Sequence, residues 1–88
     1  MDRRYNLLWD DENEEHIARH GVEPIEVEKV VRGYPYVTRG RKRTYRLIGR
    51  TDGGRLLTVI LARIVGSEFY VVTACDADSS ERRAYHRR

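Results

Sequence analysis

The chain has 88 residues, 40% of them hydrophobic, and 17 Lys and Arg against 14 Asp and Glu give a formal net charge of +3. That length predicts a single domain over residues 1–88 with a modest core and marginal stability. The lone cysteine, Cys75, excludes an intrachain disulfide framework and a cysteine-rich zinc site, and no apolar run approaches the roughly 18 residues of a membrane span.

Met1-Asp2-Arg3-Arg4 is not followed by a signal-type apolar region, so the expectation is a cytoplasmic protein with no membrane contact. Tyr5-Asn6-Leu7-Leu8-Trp9 reads as a first strand. Glu12 to His20 reads as a helix, with Asp11 and Glu14 as its capping box, acids in the first turn, His20 in the last and Gly21 as the stop. Glu23-Pro24 opens a second helix to about Arg32, whose Val27, Val30 and Val31 recur at helical spacing before Gly33 and Pro35 end it.

From Tyr34 onward the signals are strand and turn. Four strands are predicted, Tyr34 to Thr38, Thr44 to Gly49, Arg55 to Val65 and Glu68 to Ala74, separated by Gly40-Arg41-Lys42, Asp52-Gly53-Gly54 and Gly66-Ser67. Leu56 to Leu61 is apolar on both faces, as an interior strand would be, and Ile60, Leu61, Val71 and Val72 are expected among the most buried residues. After Cys75-Asp76 the pair Asp78 and Glu81 marks a capping box that starts a final helix near Ser79, with an N-terminus disposed to hold an anion. The order β-α-α-β-β-β-β-α predicts an α+β domain with helices packed against an antiparallel meander.

Charge is divided along the chain. Residues 1–30 carry 4 basic and 9 acidic side chains, a balance of −5, whereas residues 31–88 carry 13 basic and 5 acidic, a balance of +8. All but one of those 13 are arginine, whose planar fork suits phosphate and whose face stacks on bases, so an anionic partner is expected, nucleic acid in preference to membrane. Arginines solvated on an ordinary surface are the competing explanation for any one of them.

Trp9-Asp10 leads a helix ending Arg19-His20-Gly21-Val22, and a Pro/Glu-started helix follows. Then come Leu47-Ile48-Gly49-Arg50, Leu56-Leu57-Thr58-Val59 and Val72-Thr73-Ala74 with Glu81-Arg82-Arg83-Ala84-Tyr85. In this order, over nearly the whole chain, these segments resemble the BrnT family of toxins. The resemblance implies a compact RelE-like fold, a ribonuclease that arrests translation with or without the ribosome, and a BrnA-like antitoxin as partner, with a homodimer as a further assembly to test. Two places depart from the family pattern. The Ser/Thr-Ala-Arg triplet ends here in Cys75, and the Arg before the aromatic Tyr45 is here Thr44, with Arg43 and Arg46 as neighbours.

Cleaving RNA without a metal needs a group to take the 2′-hydroxyl proton, a group to protonate the leaving oxygen, and cations for the charge growing on phosphate. The catalytic candidates are Arg46, Arg43, Arg82, Tyr85 and His20. Arg41, Lys42, Arg43, Arg46, Arg50 and Arg83 are the RNA-binding candidates. Tyr85 is suited to stacking a base or giving a proton, and equally to packing its helix on the sheet. His16 and His20 stand four apart, a spacing that can hold zinc, but no metalloprotease-type Glu-His pair accompanies them and neither metal nor cofactor is expected. Glu81 has a capping role, and Cys75 lacks a sequence-local base and reads as a small apolar filler. The alternative to a ribonuclease is a non-catalytic RNA- or partner-binding module of the same fold that has lost phosphate-handling arginines.

Overall fold

The computed structural model describes residues 5–88; Met1-Asp2-Arg3-Arg4, on which the expectation of no leader rests, lies outside them. In chain order the elements are β1 (Asn6–Leu8), α1 (Asp11–Ala18), α2 (Pro24–Arg32), β2 (Tyr36–Arg39), β3 (Thr44–Arg50), β4 (Leu56–Val65), β5 (Glu68–Asp76) and α3 (Ser79–Arg87). This is the expected order of elements, and α2 has the expected bounds. No helix among the described residues is long and apolar enough to cross a membrane.

Asp10, rather than Asp11, caps α1. Its Oδ1 accepts the Asn13 N–H at 2.8 Å, while Asn13 Oδ1 accepts the Asp10 N–H at 2.9 Å. The Asn13 amide also donates to the Leu8 carbonyl at 2.9 Å, so this side chain, only 2% exposed, ties the end of β1 to the helix start. A box built on Asp11 and Glu14 would leave that buried amide without partners. At the other end the Gly21 N–H donates to Ala18 and the Val22 N–H to Ile17, a reversal that needs the left-handed Gly21 (φ 71°). The helix therefore closes at Ala18, and His20 lies in the turn beyond it.

The five strands form one sheet in the order β1-β5-β4-β3-β2. Strands β2 to β5 make the expected antiparallel meander, but β1 joins parallel to β5, Leu7 beside Phe69. Because β1 runs into a helix and not a turn, no hairpin dictates its direction, and it takes the open edge of β5.

Neighbouring residues on a strand face opposite sides of a sheet, and the two sides are filled differently. Leu47, Leu57, Val59, Leu61, Val71 and Ala74 meet Ile17 of α1 and Val27, Val30 and Val31 of α2 in the main core. Ile48 and Leu56 point the other way and are covered, with Ala77, by Tyr36 and by Tyr85 of α3. Two of the expected core positions differ. Val72 is 42% exposed, because the ladder pairs Ile60 with Thr73 and Leu61 with Val71, leaving Val72 as the extra residue of a bulge. Ile60 is half-buried, because it lies on the α3 side.

Candidate active site

On the α3 side the register lays side chains in rows across the sheet. One row runs Thr38, Arg46, Ile60, Thr73 over β2, β3, β4 and β5, and the next runs Tyr36, Ile48, Thr58, Cys75. The second row is covered, since Ile48 is fully buried and Thr58 is 4% exposed. The first row is more open: Thr38, Arg46, Ile60 and Thr73 are all half-buried. Two strand spacings put the Arg46 and Thr73 backbones about 10 Å apart across Ile60.

The ends of that row are held by groups from two helices. His16, on the last turn of α1, shares a 2.9 Å hydrogen bond between its Nε2 and Thr73 Oγ1, and the His20 ring packs edge-on against it with centroids 5.3 Å apart. At the other end Arg46 pairs with Glu81 of α3 at 3.6 Å. Glu81 also caps its own helix, since its Oε1 accepts the Asp78 N–H at 2.9 Å while Asp78 Oδ1 accepts the Glu81 N–H at 2.8 Å. The N-terminus of α3 is thus occupied by its own carboxylates, and the anion expected there is displaced by intramolecular caps.

The site therefore offers an imidazole held by a hydroxyl, a guanidinium held by a carboxylate, and an apolar floor between them. This is the equipment of general acid–base chemistry on an anionic substrate. Cys75 is half-buried and free, and burial pushes its thiol up, with Glu81, Asp76 and Asp78 adding to the effect. A thiol shifted in that direction is a poorer nucleophile at neutral pH. Thr58 Oγ1, beside it in the register, is buried and has no hydrogen-bond partner among the described residues.

The other candidates from the sequence are spread over three places. Arg41, Lys42 and Arg43 are exposed in the turn between β2 and β3, where Lys42 takes the left-handed conformation (φ 50°) and the Thr44 hydroxyl closes the turn on the Arg41 carbonyl at 2.6 Å. Arg82 and Arg83 are exposed on α3. Arg50 is at the opposite end of β3 from this turn, donating to the Gly54 carbonyl at 2.7 Å, with its guanidinium 5.7 Å from the Tyr85 ring. Tyr85 packs on the Ile48 and Leu56 cluster and carries Arg88 4.1 Å over its ring. Of the five catalytic candidates, Arg46 stands at one end of this row and His20, beside His16, at the other; Arg43, Arg82 and Tyr85 lie elsewhere.

Sequence reasoning offers only a metal role for His16 and none for Thr73. Their meeting spans 57 positions and depends on how α1 lies along β5, which has no local sequence signal. Arg55, in sequence no more than the start of a strand, is a second residue that only the structure brings out. It donates to Asp76 at 2.7 Å, to Glu26 at 3.2 Å and to the carbonyls of Gly21 and His20 at 2.8 and 3.4 Å, fixing the turn that follows α1.

No protein-family model matches the chain, and no curated protein matches it. Among solved structures the chain is similar to the Brucella abortus ribonuclease toxin BrnT, at 19% sequence identity and a TM-score of 0.69 over 86% of this chain and 100% of that one. The chain has the BrnT-like α+β fold.

Proposed function

We propose that the chain is a toxin ribonuclease that cleaves single-stranded RNA without a metal and is held in check by a partner antitoxin. The observation that supports this most is the open row from Arg46 to Thr73 and His16, in a chain with the fold of a ribonuclease toxin. In this reading His16 takes the proton from a 2′-hydroxyl, whose oxygen attacks the adjacent phosphorus as the bond to the 5′-oxygen breaks. The leaving oxygen takes a proton from solvent water, His16 returns its own proton to solvent, and the products are a 2′,3′-cyclic phosphate and a 5′-hydroxyl. Arg46, oriented by Glu81, holds the charge that grows on the phosphate oxygens, and Arg82, exposed on α3, adds attraction from a distance. Thr73 fixes the imidazole, and His20 closes its outer side. Arg41, Lys42, Arg43, Arg50 and Arg83 supply longer-range attraction for the backbone.

A second reading, a binding module without catalysis, is favoured by one observation: Thr44 and Cys75 stand where the BrnT pattern carries arginine. Thr44 is committed to closing a turn and Cys75 is an uncharged thiol. Inducing the protein in a bacterial host while following growth and bulk translation separates the readings. Arrest that disappears with His16→Gln supports the ribonuclease, and unimpaired growth with salt-sensitive RNA binding supports the module.

A further inference from the structure

The opposite side of the sheet carries a pocket that the catalytic row does not use. It has a volume of about 450 Å³ and is lined by Tyr5, Tyr45 and Phe69, together with Val37 and Arg63. The rings pack on one another at an angle, Tyr5 and Phe69 tilted by 59° with centroids 5.1 Å apart, and Tyr45 and Phe69 edge-on at 75° with centroids 5.9 Å apart. Phe69 is buried, whereas both tyrosines remain half-exposed, so aromatic surface is open to an entering group.

Cations surround this platform. The Arg39 guanidinium is 5.7 Å from the Tyr45 ring centroid, and Arg63 is pinned beside the pocket by its Nε donating to the Gly66 carbonyl at 2.9 Å. The Arg63 backbone N–H donates in turn to the Arg43 carbonyl at 2.9 Å, which joins β4 to the end of the basic β2–β3 turn. Among the described residues no carboxylate lines the pocket. A smaller depression of about 320 Å³ on the β2–β3 hairpin is lined by Arg39, Tyr45, Arg46 and Ile60, so it touches both Tyr45 and the catalytic row.

We infer that the Tyr5–Tyr45–Phe69 pocket is a base-stacking subsite for the single-stranded RNA that occupies the catalytic row, the strand passing from one face to the other around the arginine-bearing β2–β3 hairpin. Aromatic faces flanked by arginine recognise any base by its π-face and hold the backbone by charge, which is how sequence-tolerant single-strand binding is built. An apolar side chain of a protein partner would also fill the volume, but it would leave the flanking arginines unused. This inference rests on the RNA reading above and adds a second point of contact to it.

The test measures equilibrium binding of fluorescein-labelled 2′-O-methyl RNA, which cannot be cleaved, as tetramers and decamers to the full chain. The natural protein is expected to bind the decamer more tightly than the tetramer, because only the longer strand reaches the pocket. Tyr45→Leu, which keeps apolar bulk without an aromatic face, and the exposed Arg39→Glu should each weaken decamer binding by about ten-fold and erase most of the length dependence. Tyr45→Phe should keep it. If the natural protein binds both lengths and Arg39→Glu and Tyr45→Leu retain the full length dependence, the subsite is refuted while the catalytic reading stands. If the natural protein binds neither length, both fall together. Loss of binding to a protein partner alone, with RNA affinity intact, would assign the pocket to that partner and overturn the inference.

Discussion

Glu81 serves two partners with one carboxylate, capping α3 through Oε1 and holding Arg46 through the other oxygen. Replacing it with Gln keeps the hydrogen bond to the Asp78 N–H and removes the charge that fixes Arg46. Glu81→Gln should therefore melt close to the natural protein yet cleave RNA up to about 10²-fold more slowly, because a misplaced cation no longer meets the growing charge. The two missing arginines make an opposite experiment. Burial, and after it the charges of Glu81, Asp76 and Asp78, raise the Cys75 thiol; the same three carboxylates would favour a cation in that place, while burial opposes one. Restoring Thr44→Arg together with Cys75→Arg should raise cleavage by on the order of 10²–10³, the usual worth of one contact to a developing oxyanion. An unchanged rate would mean that Arg46 already supplies that charge.

At the scale of elements, two joints hold the helices in register with the sheet. Gly49 lies where α2 and the segment before β2 press on β3: a Cβ there would meet Val30 Cγ1 at 3.1 Å and Pro35 Cβ at 3.4 Å. Gly49→Ala should cost about 1–3 kcal/mol in urea unfolding, through overpacking. Arg55 is the second joint. Its hydrogen bond holds the Asp76 carboxyl below the usual range, with burial opposing and charge attraction helping. A carboxyl whose folded value is depressed contributes stability that is fully present above its unfolded value of about 4 and is lost as pH falls through the folded value. Arg55→Ala should lower stability by about 1–2 kcal/mol at pH 7, a figure discounted for its partial exposure, and should flatten the fall in melting temperature below pH 4. The ends of α2 are legible in the sequence because Pro24, the valine spacing and Gly33 all act locally. Strands β3 to β5 are legible within one or two residues through their hairpin glycines. The exposure of Val72 and the cap at Asp10 are not, because a bulge and a buried amide are settled by contacts made elsewhere in the chain.

Across the whole molecule, the split of −5 over residues 1–30 against +8 over residues 31–88 maps onto different elements. The acidic part supplies β1, α1 and most of α2; the basic part supplies the meander, its β2–β3 turn and α3. An RNA strand drawn to the basic part would release counterions, so affinity should fall steeply between low and moderate salt, and Arg46→Glu should weaken binding at low salt while making that fall shallower. Affinity that is flat across salt would remove the electrostatic basis of the function. The BrnT-like fold is legible as an ordered set of short segments, none specific alone, whereas the pairing of His16 with Thr73 is not, because it depends on how α1 lies along β5. Cleavage of RNA by this pairing and Arg46 can be tested on the purified protein. Purified natural protein, His16→Gln and Arg46→Ala, each shown to be folded by circular dichroism, should be incubated with end-labelled single-stranded RNA in chelator and the product ends identified. The natural protein is predicted to leave 2′,3′-cyclic phosphate ends, with His16→Gln slower by about 10²–10⁴. A His16→Gln protein that cleaves as fast as the natural one, or a natural protein that leaves the RNA intact, would contradict it.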